Sequence, residues 1–128
     1  MWVKRSTRQL RVLQWVRQVF GDNVADTTSE RASRVVEEAL ELGQAAGLSR
    51  EDTVAIAFRV FSRPKGDIRT ELGDVGLTIL ALAEQQWLSA DTCESEALER
   101  ALNLDPEHLR ARHNAKVAAG VAIPMKIA

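Results

Sequence analysis

The chain has 128 residues, 45% of them hydrophobic and 27% charged, with a formal net charge of −1. That balance excludes a disordered chain and gives the molecule as a whole no pull toward nucleic acid or an anionic membrane. The lone Cys93 excludes an internal disulfide and fits a reducing cytoplasm, and no apolar run reaches the ~20 residues of a membrane span.

The length suits one domain spanning residues 1–128, with a core over about 6–118 and a tail over 119–128. Apolar spacing predicts an all-α fold, a bundle of about five helices. The first helix runs from about Ser6 to Phe20, where Leu10, Leu13, Val16 and Phe20 share a face and Gly21 stops it. Its arginines and glutamines interrupt the apolar run, so it lacks the continuous core of a signal peptide. Thr27 and Glu30 read as a capping box for a second helix that ends near Ala46. A third begins at Ser49, with Asp52 completing its cap, and Arg63-Pro64-Lys65-Gly66 breaks the chain after it.

Asp67 caps the fourth helix, which reaches about Trp87. Its stretch Val75–Ala83 is apolar nearly all round, so it is expected to be the most buried helix. A shorter helix follows Ser89, and Asp105-Pro106 opens a final polar one in which His108 and His113 are expected to be exposed. The apolar tail beyond Gly120 is expected to be mobile or held by a partner. Trp2 and Trp87 are assigned to the core or to a subunit contact.

Two acidic clusters carry the chemistry. Glu37, Glu38 and Glu41 span roughly a 100° arc of the second helix, and Glu71 and Asp74 lie about 60° apart on the fourth. Positions four residues after each of the first three hold Glu41, Leu42 and Ala45, so no lysine or arginine sits at i+4 to pair with them. If the two helices face each other, up to five carboxylates converge. Oxygen-only ligands in such a number suit hard cations, Mg²⁺ or Mn²⁺.

The order E-E-x-x-E on one helix and E-x-x-D on a later one resembles the MazG-like all-α nucleoside triphosphate pyrophosphohydrolases, over roughly residues 28–84. The stretch from Ser62 to Val75 looks most like the small phage-type members. The resemblance implies hydrolysis of a nucleoside triphosphate to the monophosphate and pyrophosphate. It implies Mg²⁺ or Mn²⁺, two or more per site, with Glu38, Glu41, Glu71 and Asp74 holding the principal ion. Glu37 is left to support a second ion or to take the proton of the attacking water. Glu37 and Glu38 are the catalytic candidates. The resemblance also implies a homo-oligomer, with a tetramer favoured over a dimer, in the cytoplasm (the host's, if the chain is phage-encoded).

Arg63, Lys65 and Arg69 precede the second acidic motif and are the nearest cations for a triphosphate. Late in the chain, where family members carry a K-x-x-K-N-like segment, only Arg112-His113-Asn114-Ala115-Lys116 stands, and Asn114 and Lys116 are its phosphate candidates. Trp15 is the candidate wall for the base, with Gln14, Gln18 and Asn23 as the amides beside it. Those amides match a guanine edge, so dGTP or GTP is the expected substrate. The rival reading is a non-catalytic helical interaction module. A nucleic-acid binder built on the basic first helix lacks net positive charge and any motif.

Overall fold

The structure is a computed structural model that describes residues 3–126. Trp2, assigned above to the core or a subunit contact, and the last two residues of the tail lie outside the described residues. Seven α-helices and no strand make up those residues: α1 Arg5–Phe20, α2 Asp22–Asp26, α3 Thr28–Ala45, α4 Arg50–Phe61, α5 Ile68–Gln85, α6 Ala90–Asn103 and α7 Pro106–Ala118. The all-α class is as expected, and the count is seven rather than five. The unforeseen element is α2, a single turn and a half in D-N-V-A-D that is too short to show a helical period.

Local signals set most boundaries. Ser49 Oγ accepts from the Asp52 amide and Asp52 returns the bond to the Ser49 amide, the capping box read from the sequence. Asp67 accepts from the Thr70 amide and Asp105 from the Glu107 amide, with Pro106 at the first position of α7. Thr27 behaves otherwise. Its hydroxyl donates back to Asn23 O at 2.6 Å, and Glu30 turns inward, with 2% of its surface exposed. A tertiary contact has taken the acid that the local motif would have used.

The chain divides into two compact units, Met1–Arg34 with Asp91–Ala128, and Val35–Ala90. In the first unit α1 packs on α2 and on α7. Val16, Val24 and Ala25 form its core, with Trp15, Phe20, Ile123 and Met125 packed against them. The tail expected to be mobile or partner-bound is therefore docked on its own chain. Asn23 Nδ2 donates to Pro124 O at 2.7 Å and Asn23 Oδ1 accepts from the Lys126 amide at 2.9 Å. Arg34 donates to Val121 O.

His113, expected on an exposed face, is buried. Its Nε2 lies 2.7 Å from Ile123 O, and its ring lies against Phe20 with centroids 5.3 Å apart. Its Nδ1 faces Glu30 Oε1 at 3.9 Å. The polar look of α7 hid this because one buried histidine does not change a helix's period. His108 is exposed, as expected. Buried Arg8 ties α1 to α6 through Glu94 at 3.0 Å, Ser95 at 3.2 Å and Asp91.

The second unit, Val35–Ala90, is built differently. No Cα of α3, α4 or α5 comes within 8 Å of another of these three helices. The bundle expected from the apolar pattern is not closed inside this unit, and α4 and α5 bury no residue. Leu77, in the stretch expected to be the most buried, is 67% exposed. An apolar circumference reports a demand for burial, and within the unit no neighbouring helix meets it.

Candidate metal centre

Glu37, Glu38 and Glu41 sit in the middle of α3, one turn apart on one side, as helical spacing dictates. Each offers an oxygen that lies within 4.8 Å of the other two, with Glu37 partly buried and Glu38 and Glu41 exposed. Ligands across a Mg²⁺ at 2.0–2.1 Å stand about 4.2 Å apart. The grouping of three oxygen donors is compatible with a hard cation, which takes such donors, once the side chains draw closer together.

Glu71 and Asp74 are exposed on α5 and are not part of this group. The five carboxylates brought to one point by facing helices are therefore three within this unit, because α3 and α5 do not pack on each other there. Glu71 instead lies over Gly66 at the entry to α5, where a β-carbon at position 66 would collide with its carboxylate. Asp67 holds the same turn. Hydrogen bonding from Thr70 keeps the Asp67 carboxyl below its usual range.

Arg63, Lys65 and Arg69 are exposed, with no ion pair among the described residues. They remain available to an anion. A cleft of about 250 Å³ opens beside Glu41, lined by Leu40, Gln44, Leu48, Ser49 and Arg50, with Thr53. The sequence reading missed it. A Schellman turn forms its rim: Gly47 at φ 102° lets the Leu48 amide bond to Gly43 O at 3.0 Å.

The remaining candidates lie in the unit formed by Met1–Arg34 and Asp91–Ala128. Trp15 meets Phe20 edge-on at 5.9 Å and packs against the core, so its surroundings are those of a core residue. Gln18 and Asn114 are exposed, and Lys116 is partly buried and engaged. Asn23 is occupied by the tail. Comparison with family models, with curated proteins and with solved structures returned no match for this chain.

Proposed function

We propose that the chain is a metal-dependent nucleoside triphosphate pyrophosphohydrolase, taking a (d)NTP and water to the monophosphate and pyrophosphate. The observation that carries this reading is the Glu37–Glu38–Glu41 group, whose oxygens lie within 4.8 Å of one another. Three like charges held that close repel one another, and a cation relieves the repulsion. Bound Mg²⁺ or Mn²⁺ supplies charge for the phosphoryl oxygens and a water of lowered pKa.

The chain's own residues do the rest. Glu38 and Glu41, joined by Glu71 and Asp74, hold the principal ion, and Glu37 supports a second or accepts the proton of the attacking water. Glu71 and Asp74 join when α5 is brought to α3. Arg63, Lys65 and Arg69 neutralise the polyphosphate as pyrophosphate leaves. The two motifs in sequence order, E-E-x-x-E and E-x-x-D, support the assignment.

The test is pyrophosphate release from the eight common ribo- and deoxynucleotides, with and without Mn²⁺. Pyrophosphate formed only with metal is the expected result, with dGTP or GTP turned over fastest. Asn23 no longer argues for the purine, since the tail holds its amide. Release of orthophosphate, or no turnover of any nucleotide, overturns the proposal. The second reading, a non-catalytic interaction module, is favoured by the exposed apolar side chains of α4 and α5, and an inert panel would leave it standing.

A further inference from the structure

The tail beyond Gly120 is a strap with a hinge at one end and two buried ionisable groups beneath it. Gly120, at φ 77°, turns the chain back on itself, as its lack of a side chain allows. Ile123 and Met125 then pack on the core beside Trp15 and Phe20. The polar contacts come from three helices. Asn23 of α2 holds Pro124 O and the Lys126 amide, Arg34 of α3 donates to Val121 O, and His113 of α7 holds Ile123 O.

Among these contacts, only that of His113 involves a group whose hydrogen count changes near neutral pH. The Ile123 carbonyl can only accept, so Nε2 carries a hydrogen. Nδ1 points the other way, to Glu30 Oε1 at 3.9 Å. Glu30 is 2% exposed, and that oxygen accepts no hydrogen bond among the described residues. With a bare Nδ1 and an ionised Glu30, two acceptors face each other in a buried place, an arrangement that costs free energy. One added proton turns them into a donor and an acceptor, whichever atom carries it. The other charges nearby are fixed. Arg34 Nε lies 3.9 Å from the same Glu30 oxygen, and Arg31 donates to Val24 O. On the neighbouring helices Arg17 is paired with Asp22 and Asp26, and Arg110 donates to Val19 O. Arginine keeps its proton throughout.

We propose that closure of the tail is linked to one proton shared by Glu30 and His113, so that the strap holds in mildly acidic solution and loosens as the pH rises and the proton leaves. The sign follows from linkage, since the closed form keeps a proton that the open form, with both groups in water, gives up more readily. Opening frees the Asn23 amide and uncovers Trp15 and Phe20. Neither the metal nor the nucleotide takes part.

The full chain is followed by nuclear magnetic resonance from about pH 5 to about pH 9, the span over which an imidazole titrates. The signals are the ring nitrogens of His113 and amide exchange over residues 121–126, taken relative to an unstructured peptide at the same pH. Tail protection is expected to fall at least about tenfold as the pH rises, an ordinary size for coupling between two sites, with the same midpoint as the His113 ring. Glu30→Gln replaces the shared proton with a permanent amide hydrogen, so its tail is expected to stay protected at the alkaline end, with a flat profile. Asn23→Ala weakens the strap away from the pair, and by reciprocity His113 should then release its proton at lower pH. If the glutamine variant does not fold, wild type and Asn23→Ala decide. Wild-type protection that is level or rises with pH, an undiminished pH dependence in Glu30→Gln, or a His113 midpoint unmoved in Asn23→Ala would overturn the proposal.

Discussion

The Glu71 carboxylate occupies the space a β-carbon on Gly66 would need. The loop that enters α5 thus reserves room for an acid of the second motif, and the absence of a side chain at position 66 is what leaves that room.

Gly66→Ala is expected to push Glu71 to another rotamer at little cost. The displaced atoms belong to an exposed, flexible side chain, so the stability change stays below about 1 kcal/mol. Affinity for Mn²⁺ should not fall, because Glu71 must leave Gly66 to join the α3 carboxylates. Thermal unfolding and calorimetric titration with Mn²⁺ read both effects. A loss above about 3 kcal/mol would show that the loop cannot adjust.

Glu38→Ala and, separately, Asp74→Ala are expected to lower turnover about a hundredfold or more while the helices stay intact. Without metal, the Glu38 variant should be as stable as wild type or more so, since one of three crowded like charges is gone. With saturating Mn²⁺ the order reverses, because only wild type gains the full stabilisation of the bound ion. Melting temperatures with and without metal give the comparison, and near-native activity in either variant would remove that residue from the site.

Three aspartates make stability fall in acid. Hydrogen bonds from Arg17 lower the Asp26 carboxyl, those from Ser49 lower Asp52, and those from Thr70 lower Asp67, each from 3.8. A carboxyl with a folded pKa below its unfolded value adds stability above the unfolded value. It loses that contribution as pH falls through the folded value. Stability from these groups should therefore be level from neutral pH to about 5 and decline below about 4. Asp52→Asn should make the acid-side decline shallower. Unfolding curves over a pH series measure it, and an identical slope in the variant would contradict the capping account.

His113→Ala is expected to release the tail. It removes the Nε2 contact to Ile123 O and the ring against Phe20, a buried polar contact with packing worth about 1–3 kcal/mol. Amide exchange over residues 121–126 should rise well before α1 and α7 lose protection. Uniform exchange across the chain would mean that the tail and the core open as one.

Trp87, assigned to the core or a subunit contact and 93% exposed within the chain, and buried His113 show where local pattern stops being informative. The capping box at Ser49, the N-caps at Asp67 and Asp105 and the stop at Gly47 involve groups within a few residues of one another, so the sequence contains the whole interaction. The same holds for Glu37, Glu38 and Glu41, which one helix turn brings together. Fold class and the α3 acid group were therefore legible in the chain itself.

Tertiary structure decided the rest, because it depends on which surfaces meet. It buried His113, which the polarity of α7 had placed on an exposed face, and Glu30, which the local motif had assigned to a cap. It docked the tail through Asn23, about a hundred residues away in sequence. It left α5 exposed, although its pattern asks for burial. Periodicity measures how much apolar surface a helix must hide, and only the three-dimensional arrangement says whether the same chain hides it.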